Sequence, residues 1–356
     1  MQKFPELFTS SASLSAPYLK QLLQASTVSQ EDCAIALPEV LIDSARLMGD
    51  HHYRVPIYKV CQLLDSLLAK KSLSQSEILE AVFRLRVKSF PLLGYAVMAS
   101  VNLGQAIQNL KKFEDLIWNL GTIRLHLGEE WAQLSWHSEL PVPPLLVEIA
   151  VAGWVNIGRQ LLPAPHEALT VNFSHEGDEQ LASACFNCPV QYGSAFSGVE
   201  IPNLWLERAL PDSDTLLEEL VLDQASVHMA HFQQTTNLEN EVRTRQLKSL
   251  PNPLPDLEHV AEEIGFSPRQ LRYQLSEQGL NYRNIQDEAR KDAACFLLQH
   301  SPLTLTEIAQ YTDFAEQSGL NRAFQRWFGC SPLQWRLQNQ ASISTAPEYS
   351  AAIKSD

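Results

Sequence analysis

Two stretches near the C-terminal end carry the same alternation of apolar and polar positions. Val260-Ala261 and Ile308-Ala309 stand 48 positions apart (308 − 260), and each pair is followed four residues later by a two-residue break, Gly265-Phe266 and Asp313-Phe314. In the first copy, Asp256 precedes apolar positions 257, 260, 261 and 264, the inward face of a short helix capped by aspartate. Gly265 suits the left-handed residue after its last turn. Ser267-Pro268-Arg269-Gln270 opens a second helix with a capping box and proline in its first turn. Leu271 and Leu275 face inward there, leaving Arg269, Arg272 and Tyr273 outward. The second copy opens on another capping box, Thr304 to Glu307, and packs Leu305, Ile308, Ala309 and Thr312. Its following helix buries Leu320, Ala323, Phe324 and Trp327, and leaves Gln317, Ser318, Asn321, Arg322, Gln325 and Arg326 outward or flanking. Between the copies, apolar positions 285, 289, 293, 296 and 297 predict one helix from Asn281 to His300. At 1.5 Å per residue that strut is roughly 27 Å long, comparable to the ~34 Å between major grooves on one DNA face.

The N-terminal part shows different periods. The first 110 residues read mostly as helix, with helical spacing over 43–48, 55–68 and 76–87. Ile123, Leu125 and Leu127 alternate, Gly128-Glu129-Glu130 turns, and Ala132, Leu134 and Trp136 alternate again, which predicts a hairpin. An apolar helix follows over 144–162, then a strand over 168–174, a helix over 178–186 and strand-like pieces over 190–207. Residues 213–248 predict one or two connecting helices, and 250–256 a Pro-rich loop.

Composition narrows the function classes. A net charge of −14 argues against indiscriminate nucleic-acid binding. Even residues 237–340, with 11 Lys/Arg and 13 Asp/Glu, are net −2, so DNA affinity there must come from where the arginines sit. The N-terminus has no apolar core after its lysine, no apolar run is long enough to span a bilayer, and a cytoplasmic protein without membrane contact is expected. Cys185 and Cys188 form a CxxC, but no second Cys or His pair has zinc-site spacing, so neither metal nor cofactor is expected. No GxSxG, HExxH, P-loop or dinucleotide fingerprint appears, which argues against an enzyme. Tyr95, His126, Trp131, Trp136 and Trp154 are candidates to line a pocket, although each such residue is more often core.

The stretch EIAQYTDFAEQSGLNRAFQRWFGCSPLQWR resembles the signature of the AraC/XylS family of bacterial transcription regulators, and VAEEIGFSPRQLRYQL resembles its first helix-turn-helix. LLGYAVMASVNLGQAIQNL (92–110) and parts of 171–198 resemble the arabinose-binding N-terminal domain of one branch of that family. The resemblance implies that Arg269, Arg272 and Tyr273 of the first recognition helix, and Ser318, Gly319 and Arg322 of the second, lie at DNA bases, with Arg326 nearer the phosphates. It departs at Asp313, where the family usually has glycine, and at Gly319, which offers no side chain to a base.

The expected architecture is multidomain. An α+β sensor and dimerisation domain with an antiparallel sheet covers 1–211, and a connecting helix covers 212–236. An all-α DNA-binding domain with two helix-turn-helix motifs covers 237–340, and a disordered tail covers 341–356. The expected partners are a double-stranded DNA operator, RNA polymerase, a small-molecule effector and a second copy of the chain. The rival readings are a DNA-addressed alkyl-transfer enzyme and a ligand-free regulator controlled by a partner protein.

Overall fold

The computed structural model describes residues 5–51, 53–70, 72–162, 169–231, 237–250 and 252–340. The expected tail over 341–356 lies outside them. The chain forms two compact units, Ala12–His231 and a second that combines Met1–Ser11 with Phe232–Asp356. The first eleven residues thus group with the C-terminal unit, which no sequence signal suggested.

The first element of the described residues is a single helical turn, α1 (Glu6–Thr9). The unit Ala12–His231 begins with β1 (Ser13–Ser15), α2 (Ala16–Ala25), α3 (Gln30–Glu39), α4 (Ser44–Gly49) and β2 (Arg54–Pro56). Next come α5 (Ile57–Ala69), α6 (Gln75–Arg84), α7 (Pro91–Ala99) and α8 (Leu103–Phe113). The sheet strands β3 (Thr122–Leu127) and β4 (Trp131–His137) lead into α9 (Pro144–Leu161), β5 (Thr170–Asn172), α10 (Glu179–Phe186), β6 (Val190–Gln191) and β7 (Ser197–Pro202). Helix α11 (Thr215–His231) ends the unit.

The predicted hairpin is β3–β4, with Ile123 opposite Trp136 and Leu125 opposite Leu134. The sheet order is β3-β4-β7-β5-β6. Its pairs are antiparallel except β5–β6, which are parallel because α10 carries the chain between them. Residues 55 and 56 belong to a small ribbon, β1–β2, rather than to the helix predicted over 55–68. Arg54 fixes that ribbon. Its buried guanidinium donates to Ser13 O and Oγ and to the carbonyls of Asp115 and Leu116.

Helix α9 packs against α6 and the sheet, and it buries a carboxylate, Glu148. Gln75 and Tyr192 donate to Glu148, and His175 Nε2 lies 3.1 Å from it, so the buried group is fully engaged. Of the five pocket candidates, Tyr95, His126 and Trp131 are exposed and Trp136 is core. Trp154 borders an apolar cavity.

Glu114 is a buried acid with little company. Its Oε1 accepts from Ile123 N at 3.1 Å, while Oε2 has no hydrogen-bond partner among the described residues. Burial pushes its carboxyl up to about 8 from the ordinary 4.5. The folded chain therefore keeps a proton that the unfolded chain releases, and stability falls as pH rises from about 4.5 to about 8. Glu114→Gln keeps the acceptor and removes the titration. Urea unfolding should show the variant more stable than the native chain at pH 8, with the difference fading towards pH 4.5. An unchanged pH slope would refute this assignment.

Candidate nucleic-acid interface

The C-terminal unit is helical in its described part. It comprises α12 (Asn237–Ser249), α13 (Leu257–Glu263), α14 (Pro268–Glu277), α15 (Tyr282–His300), α16 (Leu305–Tyr311), α17 (Gln317–Phe328) and α18 (Pro332–Gln340). The first helix-turn-helix is α13–α14. Asp256 caps α13 through His259 N, and Ser267 and Gln270 form the predicted capping box on α14. Gly265 sits at φ +77, the left-handed conformation its position requires. Leu257, Val260, Ala261, Leu271 and Leu275 pack with Leu238 and Val242 of α12 and with Tyr282 and Ile285 of α15. The Pro-rich loop before α13 is anchored as well: Tyr282 Oη and Gln246 Nε2 both donate to Pro255 O.

The second motif is α16–α17, again entered through a capping box, Thr304 with Glu307. Its turn explains both departures from the family pattern. Asp313 adopts φ +59, where glycine is usual, and Arg290 of α15 holds its carboxylate at 2.6 Å. Asparagine and aspartate tolerate this conformation better than most residues, and the ion pair adds a tie between turn and strut. Gly319 is half-buried, and a Cβ there would stand 3.3 Å from the Phe314 ring. Its missing side chain thus faces the turn and lets Phe314 pack, and only its backbone can reach outward. At its far end α17 packs Phe324 edge-on against Trp335 of α18.

Helix α15, with 19 residues and so about 28 Å long, joins the two motifs. It buries Asp292 beside Arg243 of α12, with the two groups 3.2 Å apart. The Phe296 ring near its end lies 4.7 Å from that of Phe8 of α1, tilted by 40°. Next to it burial pushes His300 down to about 4, so that imidazole is neutral at pH 7.

The charges sort themselves. Arg243, Arg245, Arg290, Lys291 and Arg326 each stand in an ion pair, and Arg336 donates to the carbonyls of Leu298 and Leu303. Arg269, Arg272 and Arg322 are exposed and have no ion pair among the described residues, and neither do exposed Lys248 and Arg283. The acidic residues of this unit therefore neutralise most of its framework cations, Lys248 and Arg283 apart, and leave Arg269, Arg272 and Arg322 of α14 and α17 uncompensated. Arg326 is the exception on α17. Both oxygens of Asp287 accept from its Nη2 at 2.8 Å, and Trp327 Nε1 donates to the same carboxylate.

Tyr273 is 58% exposed beside Arg269 and Arg272 on α14. On α17, Ser318, Asn321 and Arg322 are exposed. Gln317 is half-buried and accepts from Thr306 Oγ1, and Ser318 Oγ donates to Glu316. Sequence reasoning missed Asp287 and Arg290, whose roles depend on which residues α15 meets across the fold. Their signal was weak: two opposite charges three positions apart on the polar side of an otherwise periodic helix.

Residues 260–338 match a helix-turn-helix domain model, and residues 32–210 match the model of the arabinose-binding N-terminal domain of AraC transcription regulators. The latter alone spans half the chain. This chain belongs to the AraC family of transcription regulators. The ornithine utilization regulator of Pseudomonas aeruginosa is 29% identical over 258 residues, 71% of this chain and 76% of that protein. VqsM, a helix-turn-helix transcriptional regulator of the same organism, is 24% identical over 294 residues, 76% of this chain and 86% of its own length. The crystal structure of the regulator CdpR, also from P. aeruginosa, aligns with 86% of this chain and 97% of its own at 19% identity and a TM-score of 0.40. Among the described residues of this AraC-family chain, no three His, Cys, Asp or Glu side chains gather as a metal site. None of its described helices is long and apolar enough to cross a membrane.

Proposed function

We propose that this regulator binds a specific operator by placing α14 and α17 in adjacent major grooves of double-stranded DNA. The observation that carries this is the charge sorting. In a chain of net charge −14, the arginines of the two exposed recognition helices, Arg269, Arg272 and Arg322, are left without acidic partners. Arg272 and Arg322 suit bidentate donation to guanine O6 and N7, worth about 1–3 kcal/mol of discrimination each. Arg269, Tyr273, Ser318 and Asn321 flank them, Gln317 and Gly319 shape the near end of α17, and Arg326 reaches phosphate by exchanging Asp287 for it. The unit Ala12–His231 takes a small-molecule effector and pairs two copies of the chain through α11, and RNA polymerase at the promoter is the third partner. The protein acts in the cytoplasm as a regulator and not as an enzyme.

Selection from random duplex DNA by the full chain tests this. A recurrent sequence enriched in guanines should emerge, bound with a steep salt dependence. Recovery of unrelated sequences would overturn it.

A further inference from the structure

An apolar cavity lies between α8, α9 and the sheet of the unit Ala12–His231. It measures about 630 Å³ counting its open mouth, and the enclosed part is a small fraction of that. Its wall includes Ile107 and Leu110 of α8, Trp154 and Val155 of α9, and Val199 and Ile201 of β7. Arg159 is the only charged residue in the lining among the described residues. Its guanidinium is already engaged: Nη2 donates to Asn187 O at 3.0 Å, and the group lies 5.8 Å from the Phe83 ring. Among the described residues the wall therefore offers no acid to an ammonium, and to a carboxylate only a guanidinium already hydrogen-bonded to a backbone carbonyl, and burying a poorly paired ion is unfavourable.

One more residue points to an occupant. Gly158 sits inside α9, where glycine is disfavoured, and it lines the cavity. A Cβ built on it meets nothing within 4 Å. The backbone would accommodate a larger residue there, and the glycine keeps the space open.

We infer that this cavity is the effector site and that it takes a small uncharged molecule with an apolar body, such as a short alkyl chain or a single ring. The inference rests on the proposed sensing role of this unit. It separates the chain from an amino-acid sensor, because a zwitterion such as ornithine would bring ammonium groups for which the described wall has no acid.

Calorimetric titration of the full chain with hexan-1-ol, hexanoate and hexylammonium holds the chain constant and varies the charge. Hexan-1-ol should bind at least tenfold more tightly than either ion. Gly158→Met should fill the cavity and lower hexan-1-ol affinity at least tenfold, with an unfolding midpoint no lower than that of the native chain. Gly158→Ala, which adds one methyl group, should do so less. Equal or tighter binding of the ions, no binding of hexan-1-ol, or hexan-1-ol binding that Gly158→Met leaves unchanged would each overturn the assignment. An operator-binding titration with L-ornithine added tells the two failures apart. A response to ornithine without hexan-1-ol binding keeps the sensing role and removes this site.

Discussion

Replacing Phe8 with alanine should lower the stability of the unit that carries the two helix-turn-helix motifs by about 3–5 kcal/mol, the usual cost of truncating a buried phenylalanine. Phe8 is 1% exposed, its ring centre lies 4.7 Å from that of Phe296 at a tilt of 40°, and the Arg243 guanidinium lies 5.9 Å from the Phe8 ring centre. Arg243 is itself paired with Asp292 in the interior, so the cavity left by Phe8 would open beside a buried ion pair. Breaking such a pair's surroundings is expensive because charge is left poorly solvated. Hydrogen exchange of α12 and α15 in the full chain reads the effect locally. Phe8→Ala should accelerate exchange in both helices, and Phe8→Leu should do so less. Unchanged protection in α15 would show that α1 contributes nothing to this unit. Operator affinity should fall alongside, because α15 fixes the spacing of α14 and α17.

Leu220→Glu should convert a dimer into a monomer and lower operator affinity by about 10²-fold, the scale on which linking two binding modules acts. Helix α11 is turned inside out. At 100° per residue, Leu216, Leu220 and Val227 fall within about 40° of one another, and they are 66%, 57% and 62% exposed. The opposite face buries Glu218 and Ala225. Glu218 is held there by Asn109, whose Nδ2 donates to it at 2.7 Å. Among the described residues the leucines of this helix have no covering partner, and a self-complementary face of this kind suits a two-fold contact. Sedimentation velocity checks the first half of the prediction and operator titration the second. A native chain that sediments as a monomer, or a Leu220→Glu chain that remains a dimer, would refute it.

What the sequence disclosed depended on how local the cause was. Both helix-turn-helix motifs were legible because their determinants lie within four residues. Asp256, Ser267 and Thr304 cap through their own first turns, and Leu271 and Leu275 mark an inward face by spacing alone. The hairpin β3–β4 was legible for the same reason. The parallel pairing of β5 with β6 was not, since β6 has two residues and no period of its own. The ribbon β1–β2 is equally short, and Val55 looks helical beside the apolar run of α5. Helix α11 was misleading in a different way. Its leucines suggest a core face or a contact equally well, and only the buried Glu218 separates the two. At the candidate interface, the exposed arginines were visible as outward positions. Arg326 was visible too, but its partner Asp287 lies 39 positions away, so its neutralisation was not. The grouping of residues 1–11 with the C-terminal unit joins Phe8 to Phe296 across nearly the whole chain, and no periodicity encodes that.

One protomer should read two adjacent major grooves through Arg272 and Arg322. Protection of guanine N7 from methylation, measured on a duplex selected by the full chain, addresses it most directly. Each half-site should show two protected patches about one helical turn, or about 10 base pairs, apart. Arg272→Ala should remove protection from one patch and Arg322→Ala from the other. A single patch in each half-site, or two patches that both survive both substitutions, would contradict it.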